Sequence, residues 1–431
     1  MYSCQQILVS DNEIITVLEF ICQESNKLHN CATYYARQVW LKSHRFITKA
    51  ELCSELKSNI HFKAMYSQAA QQTCHSIYEA VQSFSKSLKR FRKGELETKP
   101  RFPGYRKPGL NGVSYPKQAL KLADGLIRVP LGKQVKAWFG IDSFTIKMPT
   151  NLDWDKLREV RFLPRNNCFY VEFVGWAQTD SLDLDPQRVL GIDPGLNNWL
   201  TCVSNVGKSF ILDGKKIKSF NQLFNQRVAK LKTGKPQGFW SDELSQITEK
   251  RHRQLRDAIN KAARFVINWC RFNRIGTLVF GWNKRNKDGI NIGSKNNQEF
   301  VQVPTARLKD RIKQLCEQYG IQFIETEESY TSQASFLDED FLPTYGEKPN
   351  EWKSSGKRVK RGLFRTARGL LINADCNGAA NILRKVATQL GLNLAKVGRA
   401  VLTLPKRYDL FKLLSKSYRK KSEAAGLQPA S

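Results

Sequence analysis

The sequence holds ten cysteines and no C-x-x-C pair. Without paired thiols at ligand spacing, neither a zinc knuckle nor a redox dithiol is written into it. No apolar leader opens the chain and no long apolar run interrupts it, so no membrane span is expected. The scattered thiols read as reduced, which points to the cytoplasm. Cys53, Cys74, Cys270 and Cys316 fall in helical patterns and read as small core residues. Acid is also scarce: 39 Asp and Glu stand against 70 Lys and Arg, a formal charge of +31. Such self-repulsion disfavours a compact monomer unless a polyanion neutralises it, so a nucleic-acid partner is expected.

At 431 residues and 41% hydrophobic, the chain can bury two or three cores. Residues 12 to 90 read mostly as helix, with Leu18, Ile21 and Cys22, then Ile77, Val81 and Phe84, at helical spacing. Tyr34, Tyr35, Trp40, Phe46 and Tyr66 are interleaved with polar residues there, as in a helical core or a stacking face. Residues 86 to 107 carry nine basic and two acidic side chains. Pro100, Pro103 and Pro108 argue against helix, and the segment reads as a phosphate-tracking strap. Residues 110 to 177 read as short strands forming a small β-barrel or sheet, with a hairpin turning at Asn166-Asn167. From 188 the order is strand hairpin (RVLGIDPG, NWLTCVS), helices near 214–232 and 241–273, strand TLVFGW, helix 305–319, strand IQFIET, and a helix beginning near Asp375. That series predicts a mixed α/β sheet with helices on its faces.

Asp193 in GIDPG follows the apolar Val189, Leu190 and Ile192. An acid closing a buried strand is costly unless it is paired or binds metal, or unless it simply caps a turn. Asp375 in NADCNGAANILRK precedes small and apolar residues that allow close packing on a sheet, although Asn373 or Asp375 would also serve as a helix cap. Residues 352 to 374 contain seven basic side chains and no acid. Arg101, Arg106, Lys357, Arg358, Arg361 and Arg365 are the candidate phosphate contacts.

GIDPGLNNWLTCVS, ESYTSQASFLDED, GKRVKRGLF and NADCNGAANILRK, in that order, resemble the transposon-encoded TnpB (OrfB) proteins, relatives of type V CRISPR effectors. The resemblance covers about residues 12 to 400. It implies an α/β multidomain chain: a wedge β-barrel (1–11 and 109–185) with an inserted helical recognition domain (12–108), then an RNase H-like (RuvC) nuclease core (186–410). A basic, disordered tail (411–431) would follow. It also implies a guide RNA from the transposon end, single- and double-stranded DNA targets read beside a short motif, a bacterial, nucleoid-associated setting, and two Mg²⁺ ions. KAMYSQAAQQ resembles the family's recognition helix, which makes Lys63, Ser67, Gln68 and Gln71 the candidate motif readers. By position, Asp193 is the first RuvC carboxylate and Asp375 the third.

Two departures follow. The family's four-cysteine knuckle is missing from 333–372, where Ala334 stands at a usual cysteine. Zinc is not expected, and Phe336, Leu337, Phe341, Leu342 and Tyr345 are expected to staple the loop. The usual second carboxylate, a Glu, is replaced by Gly281. Strand IQFIET should neighbour that strand, so Glu328 is expected to reach over the vacancy at Gly281, with Glu327 as substitute. The expected function is RNA-guided DNA cleavage. The alternatives are a nuclease-dead RNA-guided repressor and a guide-free nuclease or transposase.

Overall fold

The computed structural model of the chain describes residues 2–177, 179, 182–283 and 303–412. Chain contacts divide it into two units, Met1–Ala177 and Gln178–Ser431. The expected tail falls almost wholly outside the described residues. Among the described residues no helix is long and apolar enough to cross a membrane.

In the first unit, strand β1 (Tyr2–Leu8) leads to helix α1 (Asn12–Ser43). Asp11 caps α1 by accepting from the Glu13 and Ile14 N–H groups, at 2.9 and 3.2 Å. Helices α2 (Lys49–Leu56), α3 (Ile60–Ala64) and α4 (Ser67–Arg92) follow. The apolar positions read at helical spacing are buried, Leu18, Ile21, Cys22, Ile77 and Val81 in one core. Strands β2 (Val113–Pro116), β3 (Lys121–Ala123) and β4 (Leu126–Pro130), helix α5 (Lys133–Phe139), and strands β5 (Ser143–Lys147), β6 (Leu157–Arg165) and β7 (Cys168–Trp176) complete the unit. They form two sheets, ordered β1-β7-β6-β2 and β3-β4-β5. Hairpin β6–β7 turns at Asn166 and Asn167, both at positive φ (47° and 59°). Asn tolerates that region, and such a two-residue turn matches the strand twist.

The basic segment 86–107 is not all strap. Helix α4 runs on to Arg92, because Leu88 still continues its buried stripe; the prolines lie beyond its end. Downstream the chain is laid against α1. Asn26 Nδ2 donates to the Lys107 and Gly109 carbonyls (3.0 and 2.8 Å), and Asn30 exchanges bonds with the Arg106 backbone (3.0 and 2.8 Å). Phe102 stacks on Trp40, with ring centroids 5.4 Å apart.

The second unit is built on a sheet of strands β8 (Asp185–Pro194), β9 (Asn198–Ser204), β10 (Lys208–Asp213), β11 (Ile275–Gly281), β12 (Gln322–Thr326) and β16 (Lys406–Tyr408). Its order is β12-β11-β8-β9-β10-β16. Strands β8, β11 and β12 are parallel, and β9 is antiparallel to both neighbours. Helices α6 (Lys215–Lys232) and α7 (Asp242–Phe272) connect β10 to β11, and α8 (Thr305–Tyr319) precedes β12. A three-stranded sheet of β13 (Lys357–Lys360), β14 (Leu363–Arg365) and β15 (Leu371–Asn373) runs into α9 (Ala374–Leu390). Leu190, Ile192, Leu278 and Phe280 pack with α7 and α8, whereas Val189 and Val279 pack with α9. The central strands are therefore covered on both faces, as parallel strands require.

Candidate functional site

Side chains alternate along a strand. Val189 faces α9, so Asp193, in phase with it, leaves the end of β8 on the α9 side. Gly378 agrees: a Cβ there would lie 2.5 Å from Asp193 Oδ2. Only glycine lets this turn of α9 lie over the carboxylate. Gly378→Ala gains about 1 kcal/mol of helix propensity but meets an overpacking cost of about 1–3 kcal/mol. The clash is expected to win, lowering the urea midpoint and moving Asp193.

Asp375 lies in the first turn of α9. Asn373 is the cap, its Oδ1 accepting from the Asp375 and Cys376 N–H groups at 3.0 Å each. The Asp375 carboxylate is thereby free of capping. It accepts instead from Asn198 Nδ2 at 2.6 Å and from Arg358 Nη2 at 2.8 Å. Glu328 follows β12, and its N–H donates to Asn283 Oδ1 at 3.0 Å. Burial holds the Asp193 carboxyl well above the usual range. The charges of Glu328 and then Asp375 push it further up, and Arg358 opposes them. The acids of β8, α9 and the end of β12 thus share one electrostatic neighbourhood. A cleft of about 600 Å³ is lined by Asp193, Asn198, Lys215, Arg358, Asp375 and Arg407.

Glu327 belongs elsewhere. It pairs with Lys385 of α9, whose side chain is only 8% exposed. Burial pushes its carboxyl up, but bonds from Lys385 and Ser329 outweigh this and hold it below the usual value. With Lys385 it lines a separate cavity of about 830 Å³ that includes neither Asp193 nor Asp375.

The vacancy expected at Gly281 does not exist. A Cβ on Gly281 would lie 2.5 Å from Ile382 Cδ1. The missing side chain is replaced by a residue of α9, so no carboxylate passes through that space. The expected neighbour relation does hold, with β12 beside β11 and Gly281 opposite Thr326.

Other expectations fare unevenly. Lys63 is not on one helix with Ser67, Gln68 and Gln71: it lies in α3, and extended backbone at Met65 and Tyr66 separates it from α4. Ser67 and Gln71 are exposed, and Gln68 is half-buried. Arg101, Lys357, Arg361 and Arg365 are exposed. Arg106 donates from Nε to His29 Nε2 at 3.2 Å. Arg358 is not a free phosphate contact, being committed to Asp375. The apolar staple of 333–372 reduces to Phe336 and part of Leu337 and Leu342, since Phe341 and Tyr345 are 65% and 81% exposed. Sequence reasoning missed Asn198, whose Oδ1 also accepts from Arg407 Nη1 at 2.8 Å. The Asn-Asn after GIDPG was its only signal.

Among the described residues no three acid, His or Cys side chains stand gathered as a ready metal cage. Asp375 is turned to Arg358 and Asn198. The donor set is nonetheless of the kind that suits magnesium, hard carboxylate oxygens with an arginine paired to one of them.

A mixed sheet with an acid at the end of its central strand, roofed by a helix bearing another, defines an α/β multidomain protein. Residues 177–287 match the OrfB_IS605 family, described as a probable transposase. Residues 306–382 match the Cas12f1-like TNB domain. The chain is thus similar to the OrfB (TnpB) proteins and to Cas12f1 over these two stretches. No curated protein matches it. Among solved structures, a Cas12f1–sgRNA–target DNA complex shares its fold with a TM-score of 0.56 and 15% identity, over 87% of this chain and 83% of that one. The mini-RNA-guided endonuclease CRISPR-Cas_phi3 aligns over 89% of this chain and 92% of that one, with a TM-score of 0.47 and 10% identity.

Proposed function

We propose that this chain is a transposon-encoded, RNA-guided DNA endonuclease whose RuvC-type core cuts by metal-assisted phosphodiester hydrolysis. The observation that carries the reading is the cleft lined by both Asp193 and Asp375, with Glu328 near enough to act on the charge of Asp193. The strand order with three parallel strands and an antiparallel β9 supports an RNase H-like core. The pairing of β1 with β7 supports a wedge domain divided by the helices of residues 12–108.

Asp193, Glu328 and Asp375 would hold magnesium, which when bound activates water and neutralises charge at the phosphate. The chain's own residues do the rest. Asn198 and the Asn373 cap fix the direction of Asp375. Lys215, Arg361 and Arg407 give the cleft a positive wall that attracts the phosphate backbone. Arg358 covers Asp375 and must leave it for the acid to act. Ser67, Gln68 and Gln71, at the start of α4, are proposed to read the motif beside the target, since a Gln amide can pair with adenine in the major groove. A guide RNA from the transposon end would supply the remaining specificity by base pairing.

The test is extraction and sequencing of RNA from the protein purified at moderate salt, followed by cutting of a plasmid matching that RNA in Mg²⁺. A bound structured RNA and guide-dependent cutting are expected, with RNA affinity falling steeply as salt rises through counterion release. Absence of RNA overturns the guided reading. Gly281, filled by Ile382, favours a second reading, a nuclease-dead RNA-guided repressor. Guide-dependent binding without cutting would select it.

A further inference from the structure

The stretch from Thr331 to Asn373 contains no cysteine, yet it is drawn together at two carboxylates. Asp338 Oδ2 accepts from Ser335 Oγ (2.6 Å), the Ala367 N–H (2.7 Å) and Ser355 Oγ (3.4 Å). Asp340 Oδ2 accepts from the Ser335 N–H (2.7 Å), Ser354 Oγ (3.1 Å) and the Ser355 N–H (3.1 Å). Three stretches far apart in sequence, at 335, 354–355 and 367, are therefore joined by bonds to charged acceptors, which are stronger than neutral ones. The Asp338 side chain is only 7% exposed, so little water competes for it. The hub is fastened to α9 by Asn377, which donates to the Ala334 carbonyl at 2.7 Å and accepts from the Phe336 N–H at 2.9 Å. Asn381 adds bonds of 2.8 Å to the Thr331 and Ala334 carbonyls.

Zinc does not fit here. Its preferred thiolates are missing, and both Oδ2 atoms face N–H and O–H hydrogens rather than an open coordination position. The gathering that a knuckle obtains from a metal is obtained from acceptors instead. The strand that leaves the hub at Ser355 is β13, which carries Arg358 to Asp375.

We propose that Asp338 and Asp340 form a metal-free carboxylate hub that replaces a zinc knuckle and positions Arg358 against Asp375. Both are positioning residues. The importance of Arg358 rests on the function proposed above, but the hub itself is tested without any cutting.

The experiment is amide hydrogen exchange on the full chain with its co-purified RNA. The wild type is compared with Asp338→Ala/Asp340→Ala, and with itself after treatment with a strong zinc chelator. Amides at 354–367 are expected to exchange at least about tenfold faster in the double variant, because several charge-assisted bonds are lost. Amides of β8 and β11 should stay protected, and chelation should change nothing. Unchanged exchange at 354–367, or loss of protection on chelation, overturns the proposal. Should the double variant also unprotect β8 and β11, Ser354→Ala/Ser355→Ala decides, since it removes only donors. Faster exchange confined to 354–367 supports the hub, and unchanged exchange refutes it. A wild type that never cuts would sink the nuclease reading and leave these outcomes intact.

Discussion

Asp193→Ala is expected to lower guided DNA cutting by at least about a thousandfold, while RNA and target binding stay unchanged. A metal-held phosphate draws several kcal/mol of charge stabilisation from its ligands, and each 1.4 kcal/mol is tenfold in rate. The same substitution should leave folding stability unchanged or raise it. Asp193 is forced to keep a carboxyl under burial and beside Glu328 and Asp375, and removing it relieves that strain. Active sites are often held at such a cost to stability. Single-turnover cutting and thermal melting are measured on the same preparation. A variant that cuts like the wild type would falsify the assignment of the site; one that loses cutting only because it unfolds would show Asp193 to be structural.

Replacing the adjacent acids one at a time should separate them. Glu328→Ala is expected to abolish cutting with little effect on the melt. Glu327→Ala should do the reverse, costing about 2 kcal/mol by leaving the buried Lys385 ammonium without its charged partner and keeping most of the cutting. Glu327→Gln, which retains an acceptor for Lys385, should recover part of that stability. If Glu327→Ala is the inactive variant and Glu328→Ala the active one, the second carboxylate has been misassigned. Equal cutting by both variants removes the displaced carboxylate from the mechanism altogether.

Much of this arrangement was legible in the sequence because it depends on local patterns. An apolar run ending in Ile192 and Asp193 makes a buried strand with an acid at its end. Asn166-Asn167 between alternating residues makes a hairpin. Connecting helices between apolar strands set β12 beside β11 beside β8, and that order points to the Glu327–Glu328 pair without separating its two members. What was not legible depends on which distant groups meet. Gly281 announces a missing side chain, but nothing nearby in sequence says that Ile382, about a hundred residues later, takes the space. Arg358 reads as one more phosphate contact in a basic stretch, and its pairing with Asp375 appears only once β13 is placed. Asp338 and Asp340 look like solvated loop acids, because their six donors are spread over three segments. The prolines of 86–107 argue against helix throughout the segment, but they act only beyond Arg92, where the helix has already ended.

Helix α9 is both the roof over β8 and β11 and the carrier of Asp375. That double duty sets a schedule for the molecule's birth. A ribosome delivers Asp193 first and Asp375 only 182 residues later, the difference between their positions, and domains fold in the order they emerge. Until α9 arrives, the sheet has one bare face and lacks Asp375. A chain stopped short of residue 374 would carry its first unit and, on the function proposed above, no cutting centre.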